Sequence, residues 1–330
     1  MYDCVSIGSA TQDVFVFSQG TQIHRLQTID GEQAFLAFEY GAKVRVEEMF
    51  ISVGGGAVNT AIAIARLGLH TAIVCETGDD DAACRICAAL QEGGVDTSMV
   101  VRNPRISTGY SVIITGFDGD RTVLVHRGAS TDLSRREIDW ERVAQTRWIY
   151  LGSMAGASAQ LWDDIAAFAA ERKIRLAINP GSTQFERGLS GMAPVLAVTD
   201  VIFVNRSEAY RLADVELRRG DQDEQEAMRR LHAAGCKLVV MTSGRQGAHA
   251  FDGQRFYFCP AREVQVVSNL GAGDAFASAC LAALHRGLDI EQALCAGSLN
   301  AAGVVGQMGA TTGLLSWDQI AAGLGDDRQP

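Results

Sequence analysis

Near the C-terminal end of the chain, Ser268-Asn269-Leu270-Gly271-Ala272-Gly273-Asp274-Ala275-Phe276 forms a turn of mostly small residues that carries one carboxylate. It follows a β-rich run, Val264 to Val267, and opens into a helical run from Ala275 to about His285. Gly271 and Gly273 let the backbone turn tightly and approach a ligand without side-chain obstruction. The N–H groups of such a turn, added to those of a first helical turn, form a cradle for anions, and a phosphate is the natural guest. An acid inside that cradle repels the guest, which leaves Asp274 two readings. It takes a proton from a hydroxyl that attacks the phosphate, or it merely offsets the helix dipole.

A second glycine turn, Gly54-Gly55-Gly56-Ala57-Val58-Asn59-Thr60-Ala61, runs into Ile62-Ala63-Ile64-Ala65-Arg66-Leu67-Gly68. Asn59 falls in the first turn of an Ala/Ile helix that ends at Gly68, a natural C-cap. Together the two turns resemble both signatures of the PfkB/ribokinase family of carbohydrate and nucleoside kinases. The first matches through Gly55, Gly56, Asn59 and Ala61, then Gly68 and Gly78; the second through Gly271-Ala272-Gly273-Asp274. They stand in the family's order, and the resemblance spans nearly the whole chain.

The resemblance implies roles residue by residue. Asp274 is the catalytic base, and Gly271, Ala272 and Gly273 hold the transferring phosphoryl oxygens through backbone N–H groups, where charge develops in transfer. Asp13, Gly55, Gly56 and Asn59 bind the hydroxyls of the acceptor. Asn179 lies near the nucleotide phosphates, and Thr242, Gly244 and Gly247 form a T-x-G-x-x-G nucleotide loop, with Asn300 near the adenine. Asn205-Arg206-Ser207-Glu208 resembles the N-x-x-E motif, whose amide and acid organise Mg²⁺ and the phosphates, partly through water. The same four residues also read as a helix start, with Asn205 as N-cap and Glu208 at the third helical position. Phe15, Phe17, Tyr40, Tyr110 and Phe117 are aromatic candidates to stack on a base, close over a sugar or pack a sheet; Lys43 is a basic candidate for the same pocket. One departure stands out: the family usually has Asp-Thr-Thr before Gly-Ala-Gly-Asp, where its ribokinase-like members build a monovalent-cation site. Ser268 brings no charge and Leu270 no side-chain oxygen, so potassium is expected to matter little.

These residues need a scaffold that brings loop ends together. From Arg147 onward, apolar runs (148–151, 174–179, 201–204, 238–241) alternate with helical stretches (about 159–172 and 222–234). That alternation predicts an α/β fold: a ribokinase-like doubly wound, mostly parallel sheet flanked by helices, binding ligands at the carboxyl ends of its strands. Earlier in the chain, Phe15-Val16-Phe17, Phe35-Leu36-Ala37-Phe38 and Lys43-Val44-Arg45-Val46 read as strands. So do 107–114 and 121–125, joined by a hairpin signal at Phe117-Asp118-Gly119-Asp120. A single domain over residues 1–330 is expected, with a small β-sheet lid from about 12–48 and 108–127 that also offers a homodimer surface.

Composition removes other classes. Lys plus Arg is 29 against 39 Asp plus Glu, a net charge of −10; with no basic tract, nucleic acid is not an expected partner. The N-terminus enters a strand directly, no apolar stretch reaches membrane-spanning length, and the eight cysteines sit mostly in apolar runs, all as expected of a cytoplasmic protein with reduced, buried thiols. Cys84 and Cys87 have no second pair or histidine nearby, and core packing in an amphipathic helix over Asp79–Gly93 is the expected role. The reading is ATP-dependent, Mg²⁺-requiring phosphorylation of a hydroxymethyl group on a ribose- or fructose-type sugar or a nucleoside. A nicotinamide dehydrogenase lacks G-x-G-x-x-G after the first strand. A catalytically silent sugar or nucleotide sensor on the same fold is opposed by the intact Asp274.

Overall fold

The structure is a computed structural model that describes residues 1–18, 20, 22–28, 31–115, 121–215 and 221–326. In its first half lie β1 (Tyr2–Ile7), β2 (Thr11–Phe17), β3 (Gln22–Thr28), β4 (Gly31–Ala37), β5 (Glu48–Gly54), β6 (Thr71–Gly78), β7 (Val100–Asn103), β8 (Gly109–Thr115) and β9 (Arg121–His126). The second half supplies β10 (Thr146–Leu151), β11 (Arg175–Ile178), β12 (Val201–Asn205), β13 (Leu238–Thr242), β14 (Ala248–Phe251) and β15 (Phe256–Cys259). Nine of them form one sheet in the order β15-β14-β13-β12-β11-β10-β1-β6-β7. Pairing is parallel from β13 to β7, and β14 and β15 close one edge antiparallel.

The apolar runs explain this arrangement. Val5, Ile7, Ile149, Leu151, Leu176 and Ile178 face one helix layer, while Cys4, Trp148, Tyr150 and Phe203 face the other. Central strands covered on both faces are continuously hydrophobic. The chain leaves β1 toward β6 on one side and returns to β10 on the other, so the order reverses between β1 and β10. In open α/β sheets a ligand crevice forms at that reversal, beyond the carboxyl ends of the strands. No helix among the described residues is long and apolar enough to cross a membrane.

A second, four-stranded sheet, β5-β2-β8-β9, stands apart from the first. It unites the two β-rich stretches that flank the helices Gly56–Arg66 and Asp81–Glu92, with β2 and β8 pairing in parallel. Its boundaries differ from those the sequence suggests. Lys43–Val46 alternates apolar and polar residues yet pairs with no strand, and Lys43 is exposed. The strand is Glu48–Gly54 instead, which pairs along the full length of β2. β3 and β4 make a separate two-stranded hairpin. The connection Phe117–Asp120 lies outside the described residues.

Two further expectations are corrected. Val264–Val267 forms no strand; it is an exposed segment that bends at Val267, whose N–H donates to the Val305 carbonyl. Cys84 and Cys87 do not pack the core, because the Asp81–Glu92 helix buries Ala82, Ala83, Ile86 and Leu90. That apolar stripe leaves Cys84 exposed and Cys87 half-buried, where its sulfur accepts from Arg102 at 3.4 Å. Cys4, Cys75, Cys236, Cys259 and Cys280 are buried as expected.

Candidate active site

The helix Ala272–His285 begins at Gly271, whose φ of 76° is the left-handed conformation that disfavours a side chain. A Cβ there would come within 2.5 Å of the Ala310 methyl, so the turn has room for glycine alone. Gly273 is the opposite case: a Cβ on it would meet nothing within 4 Å, because this residue faces the open cradle. Asp274 follows on the first helical turn.

Across from it runs the Gly56–Arg66 helix, whose buried Ala57, Ala61 and Ala63 permit close approach to neighbouring elements. Gly55 holds φ 93°, and a Cβ on it would sit 2.5 Å from the Ser9 carbonyl. The amide of Asn59 donates from Nδ2 to Asp274 Oδ2 at 2.8 Å. Asn59 is 6% exposed, and its Oδ1 has no hydrogen-bond partner in the structure. The residue that sequence assigned to the acceptor thus also orients the base, with an acceptor oxygen left for a ligand hydroxyl.

Part of Asp274 stays open to solvent, yet protein atoms crowd its carboxylate. Burial lifts its pKa to about 6; the Asn59 hydrogen bond opposes the rise, and the charges of Asp13 and Glu208 add to it. A carboxylate with that pKa is a stronger base than a free one and is still ionised at neutral pH. The same interaction places Asp13 and Glu208 within electrostatic reach of Asp274.

Asp13 comes from β2, where it pairs with Ser52 of β5 and Ser111 of β8. It is 6% exposed; burial raises its pKa, and hydrogen bonds from Ser111 and Thr11 oppose that. The Thr11 hydroxyl donates to Oδ1 at 3.1 Å. Gly54 is glycine because a Cβ would overlap the Asp13 carboxylate.

The nucleotide-side candidates line the carboxyl edge of the main sheet. Asn179 donates from Nδ2 to the Phe203 carbonyl at 2.8 Å, bridging the ends of β11 and β12. Asn205 pairs in register with Thr242, so the N-x-x-E and T-x-G-x-x-G segments leave the sheet side by side. Gly244 and Gly247 both have positive φ, and a Cβ on Gly247 would collide with the Cys259 carbonyl. The capping box is fully formed: Glu208 N–H donates to Asn205 Oδ1 at 2.9 Å, and Asn205 N–H to Glu208 Oε2 at 2.8 Å. It fixes Glu208 at the helix start, where burial raises its pKa. A half-buried carboxylate beside an exposed amide offers oxygen ligands of the kind a hard divalent cation takes while keeping most of its waters. Among the described residues no group of three or more His, Cys, Asp or Glu gathers as a metal cage.

Asn300 is corrected. It is fully buried, donating to the Ala275 carbonyl at 2.8 Å and accepting from Leu315 N–H at 2.9 Å. It ties the Ile290–Val305 helix to its neighbours and offers nothing to an adenine. Ser268 braces its own turn, its hydroxyl accepting from Leu270 N–H at 3.2 Å.

The aromatic candidates divide. Phe15 shares a strand face with Asp13. Tyr110 lies on the opposite face, in a cleft of about 690 Å³ with Gln12, Arg85 and His126. Tyr40 is fully exposed, and Phe117 lies outside the described residues. Three residues beside the site escaped the sequence reading. Ser111 and Phe50 join it only through strand register. Tyr150, on β10, is fully buried with no partner for its hydroxyl; burial and the charges of Asp274 and Glu208 push its pKa up.

The chain is similar to known proteins over nearly its whole length. A model of the pfkB family carbohydrate kinases matches residues 3–317. An ATP-dependent ribose-1-phosphate kinase of Halopiger xanaduensis is 27% identical over 326 residues, covering 99% of each chain. An aminoimidazole riboside kinase of Salmonella typhimurium is 28% identical over 286 residues, 81% of this chain and 86% of that one. The structure of Arabidopsis thaliana ribokinase complexed with ribose and ATP superposes with a TM-score of 0.80 at 22% identity, covering 98% of both chains.

Proposed function

The chain belongs to the pfkB family of carbohydrate kinases, and from that premise we propose that it transfers the γ-phosphoryl group of ATP to a hydroxymethyl group of a ribose- or fructose-type sugar or a nucleoside. The observation that carries this reading is the Asn59–Asp274 contact at 2.8 Å. It joins the two glycine turns into one site, with an anion cradle on one side and a hydroxyl-binding acid, Asp13, on the other. Asp274 accepts the acceptor's hydroxyl proton as the oxygen attacks phosphorus. The N–H groups of Gly271, Ala272 and Gly273 meet the charge that develops on the phosphoryl oxygens, a contribution that costs no reorganisation during transfer. Glu208 and Asn205 would hold Mg²⁺, which when bound would supply neutralising charge at the phosphates. A sensor without turnover has no use for a base lifted toward neutrality.

The sheet β5-β2-β8-β9 is the lid of a single domain, closing over the acceptor so that water does not compete for the phosphoryl group. Its edge strand β9 exposes Val123, Leu124 and Val125. An unpaired apolar edge of this kind suits pairing with a second copy of the chain. ADP release measured over a panel of sugars and nucleosides tests the function. Steady release with at least one acceptor supports it; none with any acceptor, while ATP still binds, overturns it.

A further inference from the structure

The register of the lid sheet sorts its inner face into rows of distinct chemistry. At the end of the sheet that leads into the Gly56–Arg66 helix lies a row of small residues, Thr11, Gly54 and Gly109. The Asp274 carboxylate itself lies 4.0 Å from where a Cβ on nearby Gly56 would sit. The next row on the same face is polar and holds Asp13, Ser52 and Ser111. Two residues further along each strand comes an apolar row of Phe15, Phe50, Ile113 and Val123. Phe15 and Ile113 are buried and form its floor; Phe50 is 41% exposed and Val123 40%, and they form its wall. The two phenyl rings lie 5.8 Å apart, centroid to centroid, inclined at 48°. The row beyond them centres on Phe17, flanked by the polar Glu48, Thr115 and Arg121.

These rows discriminate among acceptors. Successive residues on one strand face are separated by about 6.6 Å. That step is comparable to the separation between the vicinal hydroxyls of a ribose and a ring attached at its anomeric carbon. A free pentose or ketohexose carries hydroxyls all round, and one bound at Asp13 would turn its anomeric side toward Phe15 and Phe50. Those side chains neither donate nor accept, so that hydroxyl would lose its water without replacement. An aromatic base has the reverse character, with faces that stack on phenyl rings and an edge that hydrogen-bonds. A face would meet Phe50, which is 41% exposed beside the buried Phe15, and the edge would reach toward Thr115 and Arg121 in the row around Phe17.

We propose that the acceptor is a riboside with a flat aromatic aglycone, a nucleoside, and that Phe50 is a specificity-determining residue. The proposal rests on the kinase reading above and narrows it. Ribose would be held by Asp13 and Ser111, its hydroxymethyl group directed down the strands to Asp274. The base would occupy the apolar row, with Phe50 moving onto it as the lid closes.

The test compares kcat/KM for adenosine and inosine with that for ribose, fructose and methyl β-riboside, all at saturating Mg²⁺-ATP. At least one nucleoside is expected to exceed ribose by 100-fold or more. Methyl β-riboside, which blocks the anomeric hydroxyl without supplying a ring, is expected to stay within tenfold of ribose. Phe50→Ala, at a partly exposed position, is expected to reduce the nucleoside-to-ribose ratio by about 10- to 100-fold, as loss of a stacked aromatic does. Ligand-induced thermal shifts of the wild-type protein, larger with nucleoside than with ribose, give a readout that does not depend on the variant. Ribose or fructose serving as well as any nucleoside, or a ratio unmoved in Phe50→Ala, overturns the proposal and leaves the kinase reading standing. ADP release with none of the acceptors, despite ATP binding, removes both.

Discussion

Asp274→Asn separates catalysis from stability more sharply than any other single change at this site. The substitution keeps the side chain's size, and its amide oxygen can still accept from Asn59 Nδ2, a contact of 2.8 Å in the parent. Removing a positioned general base costs about 10² to 10⁴ in rate, whereas the cradle N–H groups that meet ATP are untouched. Stability should move the other way. The pKa of Asp274 stands at about 6, with burial as the largest cause, against about 3.9 for an unfolded carboxylate. The folded protein therefore binds this proton more tightly, and between those two values stability falls as pH rises. A difference of about two units is worth up to roughly 3 kcal/mol above pH 6; solvent still reaches the group, so about 1–2 kcal/mol is the fair expectation. In a protein of this size that is a rise in Tm of roughly 1.5–3 °C for Asp274→Asn at pH 7.5, vanishing as pH falls toward 4. The assays are single-turnover kinetics with the best acceptor, ATP binding by calorimetry, and thermal melts across pH. Turnover within tenfold of wild type would remove Asp274 from the chemistry. An unchanged melting temperature at pH 7.5 would show that burial does not strain the carboxylate.

Three other changes test the surrounding charges and ions. Asn59→Ala removes the hydrogen bond that holds the Asp274 pKa down; bonds to charged groups are worth about 1.5–3 kcal/mol, so the acid limb of kcat/KM, expected near pH 6 in the parent, should move up by about one pH unit. A limb that stays in place would show that Asn59 does not orient the ionised base. Glu208→Gln should raise the Mg²⁺ concentration for half-maximal rate several-fold while the protein melts normally, because glutamine can still close the capping box on Asn205; an unchanged Mg²⁺ dependence would confine Glu208 to capping. Exchange of K⁺ for a large organic cation at constant ionic strength should leave the initial rate within a few-fold, and a tenfold loss would show that the Ser268–Leu270 turn binds the ion through its backbone.

What was legible in the sequence was local, and what was not depended on register and partners. The turn around Gly271 announces itself because glycine is demanded by backbone geometry within a few residues, and Asp274 is read from the same nine-residue string. The strand–helix alternation after Arg147 is likewise a property of consecutive residues, and its runs match β10 to β13. Asn59 and Asp274 could each be picked out, but their contact spans 215 positions and no spacing rule reaches that far. Lys43–Val46 shows why alternation alone misleads: the period is present, yet a strand exists only where a neighbour accepts its hydrogen bonds, and β2 takes Glu48–Gly54 instead. Asn300 failed for a related reason. An amide on an apolar helix can face solvent, ligand or core, and only the neighbouring Ala275 and Leu315 backbone groups decide in favour of the core. Phe50 is the telling case. Its type carries no signal, and its place on the acceptor face follows entirely from pairing with Phe15 two residues beyond Asp13. The chemistry of transfer is therefore written in short motifs, while the choice of acceptor is written in the register of a sheet, where one residue's slip would turn Phe15 and Phe50 away from the ligand and Val14 and Ile51 toward it.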